Sequence, residues 1–146
     1  MEKEIPAEAA SFLAHLKAYR DDPEKGHNWN PYGKPVTALL LTVKGRTSGK
    51  LSTRPLVYTK VGDAYVLVAS KGGSPDHPFW YTNLMASPDA EIQVIHDHIK
   101  VRARTAEGAE REALWPKVVE QLPQYAEYQT RTERKLPVIV LEPRET

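Results

Sequence analysis

The stretch that decides the fold is TALLLTVKGRTSGKLSTRPLVYTKVGDAYVLVASKGG, residues 37–73. Three β-prone runs in it alternate with polar turns that contain glycine, and these runs are residues 37–43, 56–59 and 64–69. Apolar and β-branched runs separated by short glycine turns are typical of consecutive antiparallel strands. The stretch therefore predicts the beginning of an antiparallel sheet around which the other elements pack.

Two turns in this stretch combine cations, hydroxyls and glycines. The cationic turn, residues 45–50, has the sequence GRTSGK, and the glycine loop, residues 70–73, has the sequence SKGG. Backbone N–H groups beside a positive charge hold anionic groups well. Alone, the cationic turn is explained equally well as a solvated hairpin turn, and it is not a Walker A loop, because its spacing is short and no helix follows. Together the two turns predict an anion-binding site.

Composition and charge limit the classes of protein that fit. The 146 residues suit one domain, and a net charge of +1 argues against a broad nucleic-acid surface. The absence of cysteine excludes disulfide scaffolds, thiolate metal sites and cysteine nucleophiles. No apolar run approaches the ~20 residues that span a bilayer, and the first residues lead into no signal-peptide core. We therefore expect a cytoplasmic protein.

The first 35 residues predict a helix followed by a loop. Residues 7–20 follow Pro6 and carry apolar side chains at helical spacing, whereas residues 21–34 are rich in proline, glycine and asparagine. We expect the helix to dock on the domain. Two alternatives stay open for it: a lid over a pocket, and a peripheral contact with the inner face of a membrane.

Beyond residue 73 the chain predicts alternating helices and strands. In order, these are a helix over residues 79–85, a hairpin over residues 91–103, a helix from residue 106, a short helix over residues 123–128 and a closing strand over residues 136–141. Thr105 is the expected cap of the long helix, and Pro116 is expected to kink or break it.

The predicted elements indicate an α+β fold. Five or six strands, connected mostly as antiparallel hairpins with few long crossovers, favour a small closed or split β-barrel with flanking helices over a parallel sheet. We expect one domain overall, in which residues 1–35 form the N-terminal helix and linker and residues 36–146 form the barrel.

Aromatic and histidine side chains suggest no hydrolytic site. Tyr125 and Tyr128 share one helical face, where they either pack in the core or help to hold a planar ligand and offer a proton. His96 and His98 flank a hairpin tip without a third ligand, so a solvated turn fits better than a metal site. No Ser-His-Asp pattern or pair of catalytic carboxylates is present. An enzyme of this sequence would use a bound organic cofactor.

Several motifs, in order, resemble the deazaflavin-dependent nitroreductase family of actinobacteria over about residues 36–143. They are GRTSG at 45–49, RPL at 54–56, VASKGG at 68–73, PFWYTNL at 78–84, Y-x-x-Y at 125–128 and PVIVL at 137–141. The resemblance implies a split β-barrel that binds reduced F420, a planar deazaflavin with a phosphate and an oligoglutamate tail. It also implies hydride transfer to quinones, nitroaromatics or activated alkenes.

The resemblance assigns roles to three groups of residues. The phosphate would be held by Arg46, Thr47, Ser48 and Gly49. The cofactor groove would be lined by Arg54, Pro55, Leu56, Lys71, Gly72, Gly73, Trp80 and Asn83. The substrate would be faced by Ser70, Tyr125 and Tyr128, one of whose hydroxyls would donate a proton.

The sequence departs from the family pattern at several positions, and two other functions remain as alternatives. Relatives often carry a second cation where Thr47 stands, and this departure concerns the contacts with the cofactor tail. Some relatives carry a third tyrosine where Leu122 stands, and its absence makes quinones the preferred acceptors here. The alternatives are a related barrel that uses FMN and a non-catalytic carrier of F420. We expect a small-molecule acceptor, no nucleic acid, no metal, and a monomer or homodimer.

Overall fold

The structure is a computed structural model that describes residues 7–29, 35–70, 73 and 76–144, with side chains from residue 13 onward. Its helices are α1 (Ala7–Asp21), α2 (Pro23–His27), α3 (Phe79–Ala86), α4 (Gly108–Gln121) and α5 (Gln124–Thr130). Its strands are β1 (Asn28–Trp29), β2 (Val36–Lys44), β3 (Leu51–Val57), β4 (Thr59–Val61), β5 (Ala64–Val68), β6 (Asp89–Val94), β7 (Asp97–Thr105) and β8 (Val138–Pro143). Lys71 and Gly72, both predicted to line the groove, lie outside the described residues.

The strands form a curled, antiparallel sheet. Its order is β1-β2-β6-β7-β8-β5-β4, and β3 pairs with β2 along the whole of β3, from Leu51 opposite Lys44 to Val57 opposite Ala38. At β5 the sheet is buried on both faces, because alternate residues of this strand enter different apolar clusters. In β5, Tyr65 and Leu67 face the inner cluster, whereas Val66 packs with α4 and α5. The predicted antiparallel split barrel with flanking helices is confirmed.

The sheet topology brings the two predicted binding turns to one edge. Every pairing between β2 and β5 along the order β2-β6-β7-β8-β5 is antiparallel, so these two strands run in the same direction. The cationic turn follows β2 and the glycine loop follows β5, so both leave the sheet at the same edge, which we call the site edge. Helix α3 lies between this loop and β6 in the chain.

Residues 21–34, predicted to be a loop, contain α2 and β1. Pro23 stands in the first turn of α2, and the Asp22 side chain accepts a hydrogen bond from the Lys25 amide at 3.3 Å. Gly26 lies so close to α1 that a Cβ on it would be 2.3 Å from the Cα of Tyr19. The proline and glycine that indicated a loop instead start a short helix and let it pack closely.

Helix α4 begins later than predicted and is not broken at its proline, where a kink stays a prediction. Glu107 takes the N-cap position rather than Thr105, and Pro116 lies within a helix that continues to Gln121. Leu114 and Val118, on either side of this proline, are buried in the cluster beneath α4. Their burial favours the helix although the proline cannot donate its backbone hydrogen bond.

Helix α1 is anchored to the sheet by Tyr19. The buried hydroxyl of Tyr19 donates toward the carbonyl oxygens of Ala38 (3.0 Å) and Gln93 (3.2 Å), and it accepts from the amide of Ile95 (2.9 Å). Ile95 has a positive φ of 59°, an uncommon conformation for a β-branched residue. The Tyr19 hydroxyl thus fixes the β6–β7 turn as well as the helix.

Candidate functional site

The cationic turn is closed by its own backbone. The Gly45 amide donates to the Lys50 carbonyl at 2.8 Å, and the Gly49 amide donates to the Gly45 carbonyl at 2.9 Å. Ser48 Oγ accepts from the Lys50 amide at 3.2 Å. Gly49 has a φ of 72°, which glycine adopts at little cost. The sequence therefore builds a compact turn whose Thr47 and Ser48 side chains are exposed.

Arg46 attaches this turn to α3. Its amide donates to Asn83 Oδ1 at 3.2 Å, and its Nη1 donates to the same oxygen at 2.9 Å and to Thr82 Oγ1 at 3.0 Å. The guanidinium carbon lies 5.8 Å from the centre of the Phe79 ring. Arg46 and Asn83, two predicted cofactor residues separated by 37 positions, are thus in direct contact.

The turn and its flanks present positive charge to solvent. Lys44, Arg46 and Lys50 are all exposed within seven positions. A Cβ on Gly49 would meet only the Lys44 Cε, at 3.9 Å, so a ligand can approach the backbone there. Exposed cations around an open glycine backbone fit the phosphate and carboxylates of F420.

The predicted groove residues of β3 continue from this turn. Arg54, Pro55 and Leu56 pair with Leu41, Leu40 and Leu39 of β2 and are half-buried. Burial lowers the pKa of Arg54 from its ordinary value, although an arginine remains charged at neutral pH. Strand β3 therefore carries a partly desolvated cation soon after the exposed cations of the turn.

Gly73, the last residue of the glycine loop, packs against the end of α5. Gly73 has a φ of 82°, and its amide donates to the Ser70 carbonyl at 2.9 Å. A Cβ on Gly73 would lie 2.5 Å from the Tyr128 carbonyl oxygen and 3.0 Å from the Arg131 Cβ. Only glycine fits this contact, which joins the predicted cofactor loop to the helix that carries the predicted substrate tyrosines.

The two predicted tyrosines have different environments. Tyr125 is buried in the cluster beneath α4 and α5, whereas Tyr128 is half-buried at the edge of that cluster. Their ring centres are 6.5 Å apart in an edge-to-face arrangement, and the Arg131 guanidinium carbon lies 5.4 Å from the centre of the Tyr128 ring. Trp80, predicted to line the groove, is buried in the inner cluster. Tyr128 is the more accessible of the two phenols.

Arg134 is a residue at the site edge that the sequence analysis did not single out. Its Nη1 donates to the Ala69 carbonyl (3.0 Å) and to His77 Nδ1 (2.9 Å), and its Nη2 donates to the Ser70 carbonyl (2.9 Å). Burial, followed by the charge of Arg134, lowers the pKa of His77. The sequence around Arg134 could not predict these contacts, because the partners of Arg134 lie 57 to 65 positions away in the chain.

Elsewhere the described residues form two surface cavities, but no candidate metal site. Two surface cavities, of about 390 and 640 Å³, lie around β4 and the beginning of β5, at the edge opposite the site edge. Among the described residues, no three His, Asp or Glu side chains cluster as a metal site requires. Within the same ranges, no helix has both the length and the apolar character needed to span a membrane.

Relatives at the level of sequence share one activity in their names. The model of the F420H(2)-dependent quinone reductase family matches residues 13–143. The F420H(2)-dependent quinone reductase Rv1261c of Mycobacterium tuberculosis (strain ATCC 25618 / H37Rv) is 43% identical over 112 residues, which cover 75% of this chain and 74% of that protein. A second protein of that strain, provisionally given the same name, is 42% identical over 113 residues, 77% of this chain and 95% of its own length.

Solved structures agree with these relatives. An F420-H2 dependent reductase, FDR-A, superposes with a TM-score of 0.67 and 43% identity over 72% of this chain and 93% of that one. A domain-swapped dimer superposes with a TM-score of 0.70 and 36% identity over 89% of this chain and 96% of the other. The chain therefore belongs to the F420H(2)-dependent quinone reductase family, and it is an oxidoreductase that depends on F420.

Proposed function

We propose that the protein reduces quinones with F420H2 at the site edge. The observation that carries this proposal is the contact between Arg46 and Asn83, since it joins the cationic turn to α3. The backbone amide and the side chain of Arg46 both bind Asn83 Oδ1, so the turn keeps a fixed position relative to α3. A fixed cationic turn costs less to order when an anionic cofactor binds.

The chain's own residues would hold the anionic part of the cofactor. Arg46, Thr47, Ser48 and Gly49 surround the position proposed for the phosphate, with Lys44 and Lys50 exposed at its sides. Arg54, Pro55, Leu56, Lys71, Gly72 and Gly73 are proposed to line the groove, with Asn83 behind Arg46 and Trp80 in the core below. Charge-assisted hydrogen bonds to phosphate are stronger than neutral ones.

The acceptor is proposed to lie near Ser70, Tyr125 and Tyr128. These three residues would hold the quinone beside the cofactor, whose chemistry would be the supply of a hydride. A hydroxyl of the chain supplies the proton that completes the quinol and recovers it from solvent, and Tyr128 is our choice because it is half-buried at the edge of its cluster. Nitroaromatics and activated alkenes also accept a hydride and a proton, and we rank them after quinones because Leu122 is buried where some relatives have a tyrosine.

The decisive experiment is a titration followed by a turnover assay. F420 is titrated into the purified protein, and the oxidation of F420H2 is then followed by deazaflavin absorbance with menadione, a nitroimidazole and an activated enoate. We expect saturable F420 binding and the highest kcat/KM with menadione. Saturable binding without turnover of any acceptor would favour the carrier function, and a protein that binds FMN but not F420 would favour the flavin barrel.

We further propose that the protein forms a homodimer, as the solved domain-swapped relative does. Light scattering coupled to size-exclusion chromatography measures the mass directly. A particle of twice the 16.4 kDa chain mass is expected, and a monomer over the accessible concentration range would contradict it.

A further inference from the structure

We propose that Arg134 is a positioning residue of the site: its guanidinium holds the backbone of Ala69 and Ser70 and the ring of His77 in one arrangement. This inference rests on the proposed function, because Ser70 and Gly73 belong to the glycine loop that is proposed to bind the cofactor and the acceptor. Arg134 itself lies in the linker between α5 and β8 and belongs to neither binding turn.

The geometry of the guanidinium suits this role. Its two terminal nitrogens reach two successive carbonyl oxygens, at 3.0 Å for Ala69 and 2.9 Å for Ser70. A planar guanidinium offers several N–H donors in a rigid fork, so contacts with consecutive carbonyls restrict both peptide groups at once. These two carbonyls stand where β5 ends and the glycine loop begins, and Ser70 also accepts from the Gly73 amide at 2.9 Å.

The contact with His77 extends the arrangement to the beginning of α3. Nη1 of Arg134 can only donate, so His77 Nδ1 must accept, and a neutral ring then carries its proton on Nε2. The His77 ring lies 4.8 Å from the Tyr81 ring on α3, measured between centres. Arg134 therefore connects the end of β5 to the approach to α3, on both sides of the glycine loop.

Gln129 fixes the linker that carries Arg134. Its Nε2 donates to the Arg134 carbonyl at 2.8 Å, and its Oε1 accepts from the Leu136 amide at 3.0 Å. The side chain of an α5 residue thus holds both ends of a short turn, which presents Arg134 toward the glycine loop. Helix α5 and the linker to β8 therefore position Arg134 against Ala69 and Ser70, which lie 65 and 64 positions earlier in the chain.

The test compares Arg134→Met, which removes the donors, with Arg134→Lys, which keeps the charge and some of them. Lys135→Met is the matched control, because Lys135 is an exposed cation at the next position. Three properties are measured in each variant: the hydrogen exchange rate of the Gly73 amide, the ¹⁵N chemical shifts of the His77 ring, and the dissociation constant of F420. Unfolding in urea is recorded to verify that each variant is folded.

We expect Arg134→Met to exchange the Gly73 amide at least tenfold faster, to lose the shifts of a single Nε2–H tautomer, and to bind F420 at least tenfold more weakly. Arg134→Lys should be intermediate, and Lys135→Met should match the wild type. Unchanged exchange and unchanged ring shifts in Arg134→Met overturn the inference, as does unchanged F420 affinity. If Arg134→Met does not fold, Arg134→Lys decides by the same three measurements. Wild-type protein that binds no F420 overturns the proposed function instead, while exchange and ring shifts still report on the Arg134 contacts.

Discussion

Asn83 accepts two hydrogen bonds from Arg46 through a single oxygen, one from the backbone amide at 3.2 Å and one from Nη1 at 2.9 Å. The amide bond fixes the turn, and the side-chain bond fixes the direction of the cation. Under the proposed function, Asn83 would act on the cofactor through Arg46.

Asn83→Leu should weaken F420 binding about five- to thirtyfold. The leucine removes the acceptor for both donors of Arg46, and a net loss of about 1–2 kcal/mol is typical of such hydrogen bonds. Titration with F420 measures the effect. Arg20→Met, which removes an exposed arginine of α1, is the control for nonspecific charge. Equal affinities in wild type and Asn83→Leu would contradict the role of Asn83.

Gly73→Ala should lower both stability and F420 affinity. The new methyl group would lie 2.5 Å from the Tyr128 carbonyl oxygen, and φ at this position is 82°. Backbone strain of this kind costs about 1–3 kcal/mol, before any displacement of α5.

Gly62→Ala is the matched control for Gly73→Ala. Gly62 also has a positive φ, 58°, but a Cβ there meets nothing within 4 Å. Gly62→Ala should lose only the stability that a positive φ costs an alanine, and its F420 affinity should be unchanged. Urea unfolding and F420 titration of both variants separate strain from steric contact. Equal losses in the two would mean that the contact between Gly73 and Tyr128 does not matter.

Tyr128→Phe should lower kcat with menadione while the F420 dissociation constant stays within about twofold. The phenol is proposed to donate the proton, a contribution that is typically 10²–10⁴-fold where general acid catalysis limits the rate. Tyr125→Phe should reduce kcat less, because Tyr125 is only 5% exposed and packs in the core.

Tyr65→Phe is the control, since Tyr65 lies at the opposite edge of the sheet, beside the larger cavity. If Tyr125→Phe has a lower kcat than Tyr128→Phe, Tyr125 rather than Tyr128 is the proton donor. If neither variant differs from Tyr65→Phe, the proton comes from elsewhere, and Ser70→Ala is the next variant.

Stability should fall with pH below the ordinary pKa of histidine because of His15. This side chain is 8% exposed, stacks on Trp29 with ring centres 3.8 Å apart and has Nε2 2.9 Å from the Gly26 carbonyl. Burial lowers its pKa from 6.5, partly opposed by the bond to Gly26. The unfolded chain then binds more protons than the folded one just below this value, so the stabilisation present above pH 6.5 is lost as pH falls through the folded pKa.

The measurement is the free energy of unfolding at pH 7.5 and 5.5 for wild type, His15→Gln and His96→Gln. His15→Gln should lose less stability between the two pH values than wild type, whereas His96→Gln, at an exposed position of the β6–β7 turn, should match wild type. Identical pH dependence in wild type and His15→Gln would contradict the assignment.

Elements with a local signal could be predicted. The helix after Pro78, the hairpin after Pro88 and the Tyr125–Tyr128 helix follow from periodicity and proline positions, and the structure has them as α3, β6–β7 and α5. Residues 21–34 could not, because Pro23 and Gly26 suit a loop as well as a helix whose close packing on Tyr19 decides the matter.

By itself, the sequence determined the antiparallel strands, the glycines at the two turns and the motifs that mark the F420-dependent family, since each depends on residues near one another in the chain. Only the tertiary structure decided that the two turns share one edge, that Asn83 orients Arg46, and that Arg134 binds the end of β5. The physical reason is that the Asn83 and Arg134 contacts join residues 37 to 65 positions apart in the chain. Such residues meet only after the sheet has formed and curled.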